Sequence, residues 1–243
     1  MPIPEPARVE RLGVLLLHGF TGHLNTVNGL VPHLEAAGIP YAMPILRGHG
    51  TRYRDLNQVT PRHWYADAER ALINLLPQCD RVAVVGLSMG GLLALELAMN
   101  HPGKLAGIVT AAAAIKFVDP LSRLSPVIAR LVKYWDSPNS FNDLSLKVNC
   151  KNYPRFPTKT FAALYRYSHQ IAKRLHEVHV PIRVLQSKKD QIVAPESANI
   201  IYENVSSPTR EILWYETSGH EMMQDLEADK VFADTMEFVH KFR

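Results

Sequence analysis

Apolar residues along the chain gather in six short runs: Gly13–Leu17, Ala42–Leu46, Arg81–Val85, Leu105–Ala111, Ile182–Gln186 and Glu211–Tyr215. Val, Ile and Leu fill them with little polar alternation, which is the pattern of parallel strands buried on both faces. Between the runs, apolar residues recur at helical spacing. Thr60-Pro61 supplies an N-cap followed by proline at the first helical position, then Trp64, Ala68, Ala71, Leu72, Leu75 and Leu76 mark one face until Pro77 ends the run. Pro195-Glu196 opens a second helix toward Asn204. A last helix runs from about Glu227 to Phe242, with Val231, Met236, Phe238 and Val239 on its apolar side. Strands alternating with helices predict an α/β fold, an open and mostly parallel sheet flanked by helices, with right-handed crossovers.

The alternation breaks once. From Lys116 to Leu175 no strand pattern is evident, and helical stretches are separated by Pro126, Pro138, Pro154 and Pro157. Leu124, Ile128 and Leu131 make one apolar stripe there, and Phe161, Leu164 and Tyr165 make another. The organisation expected is a core of residues 1–115 and 177–243 with a small helical cap, residues 116–176, inserted between two strands.

Composition narrows the class. A chain of 243 residues, 47% hydrophobic and 21% charged, can bury a substantial core and is neither collagen-like, coiled-coil nor disordered. Its formal net charge of +4 is too small a surplus for a nucleic-acid binder. The charge is unevenly placed: residues 116–176 hold eleven Lys and Arg against three acids, net +8, so the remainder carries −4. Nine of the twenty aromatic residues lie in the same segment. Two readings of this asymmetry stand side by side, a solvated lid and a weak contact between the cap and an anionic membrane. Two cysteines, Cys79 and Cys150, cannot form a disulfide scaffold and point to a reducing, cytoplasmic setting. The first twelve residues lack the apolar core of a signal peptide, and no apolar stretch reaches the ~20 residues of a membrane span, so neither export nor membrane spanning is expected.

The candidate chemistry begins at Gly86-Leu87-Ser88-Met89-Gly90-Gly91, a G-x-S-x-G sequence between a strand and a helix. The turn is so tight that small residues are needed two before and two after the serine, whose hydroxyl then stands above the carboxyl edge of the sheet at a helix N-terminus. A serine needs a base and an orienting acid. Asp190 follows the run Ile182–Gln186, and His220, in Ser218-Gly219-His220, follows the last run, Glu211–Tyr215, so both fall at the edge where Ser88 sits. Asp119, after Leu105–Ala111, also faces that edge and stays open as a second acid, with Asp190 preferred. Two backbone N–H groups are required to hold an oxyanion. Met89, directly after the serine, and Phe20, in the loop His18-Gly19-Phe20-Thr21-Gly22, are the candidates. Arg47-Gly48-His49-Gly50 reads as a tight structural loop. His176-Glu177-Val178-His179 lacks the spacing of zinc peptidases, which disfavours a metal site there, and no phosphate-binding loop occurs.

Taken together, Leu17 to Gly22, Gly86 to Gly91, Ser197-Ala198-Asn199-Ile200-Ile201-Tyr202 and Ser218-Gly219-His220 resemble the α/β-hydrolase superfamily over nearly the whole chain, and within it the small bacterial carboxylesterases and monoacylglycerol lipases. His18 comes so early in the sequence that the resemblance implies a core without the first strands of larger members. The resemblance implies a serine carboxylic-ester hydrolase with Ser88, Asp190 and His220 as triad and Phe20 and Met89 as oxyanion donors, and with no metal or organic cofactor required. Its implied substrate is a small-molecule ester of short to medium acyl chain, monoacylglycerols included. Other reactions on the same residues remain open: thioester hydrolysis, acyl transfer, cofactor-free haloperoxidation, or a receptor with the hydrolase fold. A dehalogenase or epoxide hydrolase is disfavoured, because those carry aspartate at the elbow.

Overall fold

The computed structural model describes residues 10–243, so most of the N-terminal stretch considered above lies outside the described residues. Eight strands are formed: β1 (Leu12–Leu17), β2 (Tyr41–Ala42), β3 (Arg81–Leu87), β4 (Leu105–Ala111), β5 (Tyr134–Asp136), β6 (Arg155–Pro157), β7 (Ile182–Ser187) and β8 (Arg210–Tyr215). Six of them make one sheet in the order β2-β1-β3-β4-β7-β8, and every neighbouring pair is parallel. The helices are α1 (Val31–Ala36), α2 (Pro61–Leu75), α3 (Met89–Asn100), α4 (Ser125–Ile128), α5 (Thr158–Arg174), α6 (Glu196–Asn204) and α7 (Ala228–His240).

Strand residues alternate between the two faces, and each face has its own core. Leu15, Leu17, Val82, Val84 and Ile108 pack with Trp64 and Leu72 of α2, with α3, and with Leu164 and Ile171 of α5. Their sequence neighbours Val14, Leu16, Ala83, Val85 and Val109 pack on the other side with Leu34 of α1 and with Val231, Met236 and Phe238 of α7. This is why the runs carry no polar alternation: β1 and β4 are buried throughout their length.

Three local expectations are corrected. The run Ala42–Leu46 forms only a two-residue strand, Tyr41–Ala42. Pro44 has no N–H to offer a ladder, and the N–H of Leu46 goes to the Nε2 of His18 at 3.1 Å instead of to a strand. Within 116–176, β5 and β6 pair antiparallel with Trp135 opposite Phe156, although each is only three residues long, too short for periodicity to register. The stripe Leu124, Ile128 and Leu131 is not a packed helix face, because α4 spans four residues and Leu124 and Leu131 are 53% and 87% exposed. The stripe on α5 is packed, with Phe161 and Leu164 buried.

Candidate active site

β3 runs into α3 through Ser88, whose backbone sits at φ 55, ψ −112, a region that non-glycine residues rarely enter. The conformation is held from all sides. The Ser88 N–H donates to the Ala111 carbonyl at 2.8 Å, and its own carbonyl accepts from Gly91, Leu92 and Ala114. The two glycines are needed for close approach: a Cβ at Gly86 would strike the Gly90 carbonyl, and one at Gly90 would strike the carbonyl of Leu17. The outcome is a serine side chain at the start of a helix, only 8% exposed.

Asp190 and His220 come from the loops after β7 and β8. Asp190 Oδ1 accepts the backbone N–H groups of Ile192 (2.8 Å) and Val193 (2.9 Å). Its Oδ2 accepts from Gln186 Nε2 at 3.2 Å and from His220 Nδ1 at 2.9 Å. With Nδ1–H directed at the carboxylate, the Nε2 of a neutral His220 is left as a proton acceptor. Burial disfavours the charged imidazolium, but the adjacent Asp190 carboxylate, its hydrogen bond and the charge of Glu221 outweigh burial and raise the His220 pKa. The loop carrying His220 is itself clamped: Asp225 Oδ2 accepts the Gly219 N–H at 2.6 Å, and Glu227 Oε2 accepts those of Thr217 and Ser218. Asp119, the other candidate acid, is exposed and caps its own turn, accepting the Leu121 N–H at 2.8 Å. The structure therefore brings Asp190, and not Asp119, to His220.

Ser88 and His220 line one cavity of about 390 Å³, a volume suited to a small organic ligand. Phe20 lines it as well. Gly19 lets that loop lie against the serine, since a Cβ there would sit 3.3 Å from the Ser88 Cβ. Met89 is fully buried and its N–H opens α3. Among the described residues, neither the Phe20 nor the Met89 N–H makes a backbone hydrogen bond. One wall is aromatic: Phe20, Phe156 and Phe161 have ring centroids 5.3–6.3 Å apart, and Phe117 and Trp135 extend the cluster. Polar side chains, those of Ser140, Asn152, Gln191 and Glu221, line the same cavity.

Two parts of this site escaped the sequence reading. The first is His49, in the loop assigned a purely structural role. Its Nε2 accepts the N–H of Thr21, a residue at φ 62, and its ring stacks at 3° on Tyr153. Tyr153 in turn donates its own N–H to the Thr21 carbonyl at 2.9 Å and its hydroxyl to the Gly48 carbonyl. The available signal was the repeated His-Gly after two adjacent apolar runs, His18-Gly19 and His49-Gly50. The second is Glu221, next to His220, buried at 6% exposure. Burial, together with the nearby Asp190 and Asp225, raises its pKa against the opposing effects of His220 and Asn152. Among the described residues no three His, Cys, Asp or Glu are grouped to hold a metal ion, and Cys79 and Cys150 are both free thiols.

Comparison with known proteins adds to this geometry. The family model described as serine aminopeptidase, S33, matches residues 9–227. A thermostable monoacylglycerol lipase of Bacillus sp. (strain H-257) is 34% identical over 98% of this chain and 94% of its own length. A carboxylesterase of Bacillus subtilis (strain 168) is 31% identical over 94% of the chain and 92% of its own length. Among solved structures, one of the metagenome-derived lipolytic enzymes LipS and LipT superposes with a TM-score of 0.90 at 29% identity, covering 96% of this chain and 94% of that one.

Proposed function

The chain belongs to the serine aminopeptidase S33 family and is a hydrolase of the α/β-hydrolase fold, and we propose that it cleaves uncharged carboxylic esters of short to medium acyl chain, monoacylglycerols among them. Relatives named monoacylglycerol lipase and carboxylesterase support ester hydrolysis as the reaction class. The observation that carries the finer reading is the 2.9 Å hydrogen bond between Asp190 and His220, at the edge of the same aromatic-walled cavity that holds Ser88.

In this reading Ser88 Oγ attacks the ester carbonyl as its proton passes to His220 Nε2. Asp190 fixes the histidine tautomer and stabilises the imidazolium. The N–H groups of Phe20 and Met89 hold the oxyanion. His220 then gives its proton to the leaving alcohol, and a water molecule, deprotonated by the same nitrogen, releases the acid from the acyl-serine and restores Ser88. The 116–176 segment serves as a cap. It supplies Trp135, Phe156, Phe161 and Leu164 to the cavity, an apolar lining for the acyl chain.

The deciding experiment is a panel of activated esters of graded chain length, run beside monoacylglycerols, a triacylglycerol, thioesters and an aminoacyl anilide. Turnover of medium-chain monoesters above all others is expected. Faster turnover of the triacylglycerol or the anilide than of every monoester overturns the reading.

A weak contact of the same cap with anionic lipid is part of this proposal. Leu121, Leu124, Val127, Leu131 and Val148 are 48–87% exposed, and Arg123, Arg130, Lys147 and Lys151 beside them are exposed too. Apolar and basic groups side by side suit a membrane–water interface.

A further inference from the structure

We infer that Glu221, Asn152 and Gln191 form a subsite that accepts hydrogen bonds from a leaving alcohol carrying additional hydroxyl groups. The inference rests on the ester reading above and names which part of the substrate these polar side chains select.

Each of the three side chains lines the cavity shared by Ser88 and His220. Each also has a buried oxygen with no hydrogen-bond partner: Glu221 Oε2, Asn152 Oδ1 and Gln191 Oε1. Glu221 is more than nine-tenths buried. A buried acceptor left unmatched is costly, and such groups are rare unless something else fills them.

The amide orientations follow from their neighbours. Asn152 Nδ2 donates to Glu221 Oε1 at 2.6 Å, so turning the amide over would set oxygen against oxygen. Asn142 Nδ2 donates to the Thr217 carbonyl at 2.7 Å, which leaves Asn142 Oδ1 as the acceptor for Gln191 Nε2. Both amide nitrogens are thereby engaged, and each of the three side chains keeps an unpartnered oxygen, which calls for a ligand that donates.

The place of this set identifies the part of the substrate it meets. Glu221 follows His220 directly in the chain, and His220 is the group that returns a proton to the departing alcohol. The aromatic cluster of Phe20, Phe156 and Phe161 offers the acyl chain an apolar wall. The polar side chains are then left to the alcohol. Two of the three free acceptors are neutral amide oxygens, which suit neutral hydroxyls better than a cation. A glycerol-like alcohol, with two hydroxyls beyond the ester oxygen, meets these requirements, and a plain alkyl alcohol leaves the acceptors unmatched.

The test compares kcat/KM of the full chain on three esters of one medium-chain acid: the 1-glyceryl, propyl and choline esters. The choline ester carries a positive charge without N–H or O–H donors. The wild type is expected to prefer the glyceryl ester to the propyl ester at least tenfold and to show no preference for the choline ester. Glu221→Leu and Asn152→Leu are expected to lower the glyceryl-to-propyl ratio about tenfold, whereas Glu221→Gln, which keeps an acceptor, retains most of it. The ratio is the readout because removing Glu221 also changes His220, and that effect is common to both esters. If Glu221→Leu does not fold, as judged by its circular dichroism melt, Asn152→Leu and Gln191→Met carry the test. An unchanged ratio in every folded variant, with both esters turned over, overturns the subsite alone. A choline preference lost in Glu221→Leu overturns it in favour of a cation site. Absence of turnover on all three esters by the wild type overturns the ester reading and this inference with it.

Discussion

His49 Nε2 accepts the backbone N–H of Thr21 at 3.1 Å, so the loop containing Phe20 takes its shape from a histidine 28 positions away. Thr21 sits in a left-handed conformation, and its carbonyl is held by Tyr153 of the 116–176 segment. The loop is thus fixed at both its N–H and its carbonyl. His49→Ala removes the acceptor and is expected to lower kcat about tenfold or more with a smaller change in KM, since a misplaced oxyanion donor costs transition-state binding first. His49→Gln, which can present an oxygen to Thr21, should recover part of the loss. Steady-state kinetics on one activated ester decide it: equal kcat in wild type and His49→Ala refutes a positioning role.

The second prediction concerns acid stability. His18 is buried, its Nε2 accepting from Leu46 and its Nδ1 bonded to the Gly19 carbonyl. Burial chiefly, with a contribution from His23 and against the Gly19 hydrogen bond, lowers its pKa from 6.5 to about 4. The unfolded chain therefore binds this proton more readily than the folded one. Stability from His18 is fully present above pH 6.5, declines as the pH falls toward 4, and is level below that, a loss on the order of 3 kcal/mol. Urea unfolding at pH 7 and pH 4.5 measures the decline. His18→Asn should flatten it, and an equally steep decline in the variant removes His18 as its source.

The pKa of His220 is shifted the other way from that of His18. In the proposed mechanism His220 must be neutral to accept the proton of Ser88, and its pKa is raised above 6.5. The acid limb of kcat/KM should therefore have its midpoint above pH 6.5, with activity falling as the pH falls through it. Glu221→Gln removes one of the charges that raise it, so the midpoint should move down. A midpoint that stays put in this variant separates Glu221 from the histidine.

Serine and acid assignments are checked together. A serine-directed phosphonate should label Ser88 alone. Ser88→Ala should abolish esterase turnover by several orders of magnitude, and Asp190→Asn, which disturbs the histidine tautomer, by about 10⁴-fold. Asp119→Asn should change activity little, because Asp119 makes its hydrogen bond within its own turn. Reversed effects at the two aspartates would mean that the wrong acid has been assigned.

Lipid contact is tested by sedimentation with vesicles. The net charge of +8 on residues 116–176 predicts binding to anionic vesicles at low salt and release at high salt, as screening shortens the field to ~8 Å or less. Leu131→Glu, at the most exposed aliphatic position, should weaken it further. Equal recovery with anionic and neutral vesicles at low salt leaves the segment as a cavity cover only.

The sheet and the elbow were open to sequence reasoning because their signals are local. A strand buried on both faces needs an unbroken apolar run, as in Leu12–Leu17, and the tight turn at Ser88 needs glycine at 86 and 90 because backbone atoms occupy the space of a side chain. Asp190 and His220 could be placed at one edge of the sheet because each follows a strand that runs the same way. That Asp190 and not Asp119 meets His220 was decided by the fold, since β7 lies beside β8 while the chain leaves β4 for a long excursion. The roles of His49, Tyr153 and Glu221 also belong to the tertiary structure. His49 reaches Thr21 across 28 positions, Tyr153 reaches Gly48 across 105, and Glu221 meets Asn152 across 69. No periodicity carries such pairings, because they arise only when strands β1 and β2 come side by side and the 116–176 segment folds back over the edge they share with Ser88.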